Sequence, residues 1–177
     1  MKILLSCCLL LRVGVLLCQP ATPAQSITGK VICGYQGWFN AFGDGSPVER
    51  WVHWSRGVYQ SNSGAPAPGN ITFEAYPDLT DYPASTLFQT GLGNLNSGTP
   101  ARLFSSWKPE VIDLHFRWMK DAGIDGIALQ RFIAETFDGV FKTNRDSVAA
   151  RVKRSAETHQ RVFYLMYDMS GLDAARF

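Results

Sequence analysis

The chain has 177 residues, 46% hydrophobic, 12% aromatic and 18% charged, a mix that suits one folded domain and excludes a disordered polyampholyte. Its 17 Lys and Arg face 15 Asp and Glu. Two of those cations, Lys2 and Arg12, fall in the first 24 residues with no acid beside them, so the remainder is formally neutral and has no long-range field to gather nucleic acid or an anionic membrane.

Met1-Lys2 opens an apolar run from Ile3 to Leu17, too short for a spanning helix, which needs about 20 apolar residues. A charged start, a short apolar middle and the small residues Thr22-Pro23-Ala24 read as a signal peptide over 1–24, cleaved before Gln25, with cleavage after Cys18 or an uncleaved anchor as alternatives. The expected product is secreted. Cys7, Cys8 and Cys18 lie in the leader, which leaves Cys33 alone, read as a small buried hydrophobe on a strand.

Three nearly continuous apolar runs predict parallel strands: Val31 to Tyr35, Gly126 to Gln130 and Val162 to Tyr167. Between the first and second, Val111, Leu114, His115, Trp118 and Met119 recur at helical spacing, with Pro109 suited to the first turn and Gly123 to the stop. Between the second and third, Val148, Val152 and Ala156 predict a helix over about Asp146 to Gln160. The cations Arg145, Arg151, Lys153 and Arg154 are read as its solvated face. The stretch at about 36–107 is rich in Gly, Pro, Ser and Asn and is expected to be a long loop, with one short strand at Ile71 to Tyr76. Asn70-Ile71-Thr72 is a glycosylation sequon. No element is predicted after the third strand, so the chain reads as the first part of a larger α/β barrel.

Chemistry is expected where parallel strands end. The first strand delivers Tyr35 and Gln36, the second Gln130 and Arg131 with Glu135 just beyond, and the third Asp168 with Asp173 after it. A carboxylate at the end of a buried strand can have a raised pKa and serve as acid or base, or can simply cap the next turn. Tyr35, Gln36, Trp38, Trp51, His53 and Trp54 crowd one segment, and such aromatic and polar groups together suit a sugar ring. A structured loop built from those aromatics is the other reading. His53, His115 and His159 have no metal-ligand spacing, and neither a phosphate loop nor a Gly-x-Ser-x-Gly elbow occurs, so no metal or cofactor is expected.

Several strings in order are similar to those of secreted glycoside hydrolases of the family 71 and family 99-like group, some labelled xylosidase/arabinosidase-like. They are Gly29 to Phe39 (GKVICGYQGWF), Gly43-Asp44-Gly45-Ser46, Trp51-Val52-His53-Trp54-Ser55, Tyr76 to Tyr82 (YPDLTDY), Leu103-Phe104-Ser105-Ser106, His115 to Lys120, Gly123 to Gly126, Leu129 to Phe132, and Met166 to Gly171. The resemblance implies the N-terminal part of a (β/α)8 TIM-type barrel, truncated after its third strand. It implies carbohydrate as partner and His53, Trp54, Asp78, Gln130, Arg131 and Asp168 around the sugar, to which the strand-end and aromatic readings add Tyr35, Gln36 and Trp38. Asp168 is then the expected catalytic carboxylate. The alternative is a non-catalytic secreted carbohydrate-binding protein or an inactive fragment.

Overall fold

The computed structural model describes residues 26–57 and 64–172; the leader, residues 58–63 and residues 173–177, Asp173 among them, lie outside these ranges. The three apolar runs form β1 (Ile32–Tyr35), β4 (Gly126–Phe132) and β5 (Val162–Asp168), hydrogen-bonded in parallel in the order β1-β4-β5. Register sets Cys33 beside Ile127 and Phe163, and Tyr35 beside Leu129 and Leu165. Side chains alternate across a sheet. Ile127 and Leu129 therefore share a face, and that face packs on the helices α1 (Pro109–Asp121) and α2 (Gly139–His159) through Ile112, Phe116, Met119, Val148, Val152 and Ala156.

Local chemistry fixes both helices. Pro109 takes the first turn of α1, where its missing N–H costs nothing. At the other end Gly123 adopts φ +72°, its N–H reaches the Lys120 carbonyl, and the Ile124 N–H reaches back to Met119 at 2.8 Å. This is the left-handed stop that favours glycine. Helix α2 starts seven residues earlier than its apolar spacing suggests, because the Asp138 carboxylate accepts the Val140 and Phe141 N–H groups, each at 2.9 Å. That cap satisfies orphan donors that the polar run Lys142-Thr143-Asn144 cannot satisfy by burial.

The segment expected to be a loop folds as a second layer. An antiparallel hairpin, β2 (Leu87–Asn94) and β3 (Pro100–Phe104), carries a register shift between Gln89 and Asn94. Trp51, Trp54, Tyr82, Leu103 and Phe104 build a separate core that meets Val111 and Leu114 of α1. Helix α1 is thus buried on two sides, Val111 and Leu114 toward the hairpin layer, Ile112, Phe116 and Met119 toward the sheet. Ile71 to Tyr76 is not a strand; it contributes one bridge, Ile71 to Ser55.

The barrel expectation is overturned. The described residues carry an open three-stranded parallel sheet, an unconnected antiparallel pair and only two α-helices. Strand–helix–strand spacing is common to every parallel α/β sheet and carries no information on closure. Among the described residues β5 pairs on one side only, and Tyr164, Leu165, Met166 and Tyr167 are each 38–49% exposed.

The tightest test of this register is Gly126, between Ile32 and Val162: a Cβ there would stand 2.1 Å from the Val162 carbonyl oxygen. Gly126→Ala is expected to destabilise the fold by about 1–3 kcal/mol, the usual cost of overpacking, read as a lower urea midpoint. An unchanged midpoint contradicts the β4–β5 pairing.

Candidate functional site

Alternation sorts the predicted residues onto two faces. Tyr35 and Arg131 share the helix-facing parity of Leu129, whereas Gln130, Phe132, Met166 and Asp168 share the opposite one. Gln130 and Asp168 meet there: the Gln130 Nε2 donates to Asp168 Oδ2 at 2.6 Å, and the Ser170 N–H donates to Asp168 Oδ1 at 2.8 Å. Bonds from Ser170 first, and from Gln130, hold the Asp168 carboxyl below the usual range. Asp168 is therefore ionised and partly open, not the desolvated carboxyl with a raised pKa that its place on a buried strand suggests. The reason is that hydrogen bonds to the charged form outweigh the desolvation at this strand end. A cavity of about 420 Å³ adjoins this rim, lined by Glu135, Phe137, Asp138, Phe141, Ser170 and Gly171.

The aromatic segment has a different role. Trp38 is buried and stacks on His53, at 4.6 Å between centroids, and on Phe132, at 4.9 Å. Trp54 is buried against Phe39, Phe73 and Phe104, and its Nε1 donates to the Phe104 carbonyl at 2.8 Å. Neither indole offers a free face. His53 sits in a left-handed backbone conformation, φ +61°, with its Nε2 buried and without a hydrogen-bond partner. Burial, then the nearby Arg145 charge, lowers its pKa to about 4, so the ring is neutral at pH 7.

Tyr35 and Arg131 are taken up on the helix side. The Tyr35 hydroxyl bonds His115 Nδ1 at 2.8 Å, and the Tyr82 hydroxyl bonds Nε2 at 2.6 Å. Burial lowers His115 to about 4 and raises both tyrosines, so a neutral imidazole donates through one nitrogen and accepts through the other. Arg131 Nη2 binds Asp146 at 2.5 Å, and Lys142 shares that carboxylate at 2.6 Å. Gln36 remains exposed just past β1. Asp78 stands apart, ionised by hydrogen bonds from Thr80 and lining a groove with Thr80, Asp81 and Trp118. The sequon residue Asn70 is spent on a turn, accepting from the Ala67 N–H at 2.6 Å and donating to Ala65.

What holds the rim is a buried polar network. Arg145 binds Glu135 through two nitrogens at 2.7 and 3.0 Å, and its Nη1 also reaches the Trp38 carbonyl, Asn40 Oδ1 and Asn144 Oδ1. Asn40 donates in turn to Asp44, which also accepts from Ala41, Ser46 and Ser105. Arg145 is thus not on the solvated face of α2. The available signal was its spacing: it lies three and seven residues before Val148 and Val152, on their stripe.

Among the described residues no group of three or more His, Cys, Asp or Glu is placed to hold a metal ion, and no helix is long and apolar enough to cross a membrane. No protein-family model matches the chain, and no curated protein matches it.

Two outcomes test this geometry. Arg145→Met is expected to cost about 3–5 kcal/mol because it strands the Glu135 charge in the interior, and Arg145→Met with Glu135→Leu to cost less than the sum in a double-mutant cycle. Strict additivity would contradict the pair. The histidines give a sign-defined pH effect: folded pKa values near 4 lie below the unfolded value of about 6.5, so their contribution is present above that value and is lost as pH falls from there to about 4. The urea midpoint is expected to drop between pH 7 and 4.5, and to drop less in His115→Gln.

Proposed function

We propose that the protein is a secreted carbohydrate-directed protein whose ligand docks at the carboxyl ends of β4 and β5. The observation that carries this reading is the Asp168 carboxylate: ionised, partly open, and oriented by Gln130 and Ser170 beside the 420 Å³ cavity. A fixed carboxylate is a strong acceptor for a ligand hydroxyl, and a paired amide supplies both donor and acceptor; a polyhydroxylated ring needs such directional partners. The exposed Met166 and Gln36 provide adjoining apolar and polar surface. The similarity of the motifs to the family 71 and family 99-like group supports the same ligand class, and the leader at 1–24 supports secretion.

Glycosidic hydrolysis is the second reading, favoured by the ionised state of Asp168, which suits a nucleophile or a base. It also requires a protonated carboxyl across the bond. Of the two carboxylates lining the cavity, Glu135 is held by Arg145 through both oxygens and Asp138 accepts the first N–H groups of α2, so neither is placed as that donor. Binding is therefore the reading supported best.

Titration of the full chain with a panel of neutral oligosaccharides tests it. Asp168→Asn and Gln130→Ala are each expected to weaken the best ligand about tenfold or more, the scale of one charged hydrogen bond, while Trp54→Phe shifts stability and leaves affinity nearly unchanged. Equal affinity in wild type and Asp168→Asn would overturn the site. Release of reducing sugar by wild type and not by Asp168→Asn would favour hydrolysis over binding alone.

A further inference from the structure

A second cavity, of about 450 Å³, lies on the outer side of the helix layer, between α1, α2 and the 81–83 turn. Its lining includes Arg117 from α1 and Arg151 and Arg154 from α2. None of the three guanidinium groups forms an ion pair with a carboxylate among the described residues. Arg154 repels Arg151 across this hollow, whereas the charges of Asp44 and Glu110 attract it.

Three carboxylates, Asp81, Glu110 and Asp113, share the wall and balance the arginines in formal charge, but none is ion-paired to one of them. Asp81 accepts from the Trp118 indole at 3.0 Å, and Asp113 is bonded to His159 at 2.8 Å. Only Glu110, on the first turn of α1, has no side-chain hydrogen bond or ion pair among the described residues. Arg151 is pre-positioned, stacked 3.9 Å over the Trp107 ring and donating through Nη1 to the Trp107 carbonyl, which leaves its other nitrogens uncommitted. Arg151 and Arg154 lie three residues apart on one helix face, the spacing at which side chains meet.

We propose that this groove binds a tetrahedral oxyanion monoester, an organic phosphate or sulfate, with Arg117, Arg151 and Arg154 on the anion. Guanidinium forks match such oxygens in geometry as well as charge. The volume exceeds that of the bare anion and falls in the range of small-molecule sites. The organic body lies on Leu114, Pro83 and Pro109, with Glu110 placed to accept a hydroxyl from it. The site is independent of the strand-end rim, with which it shares no residue.

Calorimetric titration of the full chain with phenyl phosphate and phenyl sulfate, with phenol as the neutral control, tests the proposal and separates the two esters. One or both esters are expected to bind and phenol not, with affinity falling as salt rises. Arg117→Gln and Arg154→Gln are each expected to weaken binding about tenfold, with unfolding midpoints near wild type because both side chains are exposed. Asp168→Asn is expected to leave it unchanged. Absence of ester binding at millimolar concentration overturns the proposal, as does equal binding by the arginine variants, or binding lost in Asp168→Asn alone.

Discussion

The buried contact between Arg145 and Glu135 is the constraint on which the rest depends. It joins α2 to the turn that follows β4, and the remaining nitrogen of the same guanidinium reaches the Trp38 carbonyl and Asn40. One side chain thereby ties together the helix layer, the strand end and the aromatic segment. A buried ion pair adds little net stability, since desolvation offsets most of its attraction. Its effect is positional: with Arg145, Glu135, Asn40 and Asp44 bonded to one another or to the backbone, the 36–54 segment is held in one arrangement.

That segment in turn sets the shape of the strand-end rim. Asn40 passes the constraint to Asp44, whose four hydrogen bonds, including one from Ser105, hold the turn against the end of β3. Trp38 then stacks on both His53 and Phe132, so the last side chain of β4 packs against the aromatic segment. The unusual backbone of His53 and its unpaired Nε2 fall in the same place. Backbone strain of about 1–3 kcal/mol persists only where surrounding contacts over-determine it, and here the packed rings of Trp38, Phe132 and Phe39 do so.

Helix α1 and the three parallel strands were legible in the sequence because each buries a continuous or periodic apolar surface, and that surface is a direct function of residue order. The hairpin was not. Gly91 and Gly93 interrupt β2, and its pairing with β3 rests on contacts across the Asn94 to Pro100 turn rather than on alternation. The first two turns of α2 were hidden in the same way, since they depend on the Asp138 cap and carry mostly polar residues. Whether a parallel sheet closes is a long-range property that strand spacing does not encode. At the site, Gln130 and Asp168 were each legible as strand-end residues, but the ionisation of Asp168 was not, because it depends on the hydrogen bonds from Ser170 and Gln130. Tryptophans chosen for their chemistry proved to be core, since composition cannot distinguish a ring that faces ligand from one that faces Phe104.

The account's central claim is that Asp168 is an ionised, pre-oriented acceptor at a carbohydrate-binding rim. The most direct measurement is a carbon-detected NMR titration of the aspartate carboxyl groups, repeated with a saturating neutral oligosaccharide. The account predicts an Asp168 pKa below the free value of about 3.9, with ligand-induced shifts concentrated at Gln130, Asp168 and Ser170. A pKa at or above that value, or shifts confined to other parts of the chain, would contradict it.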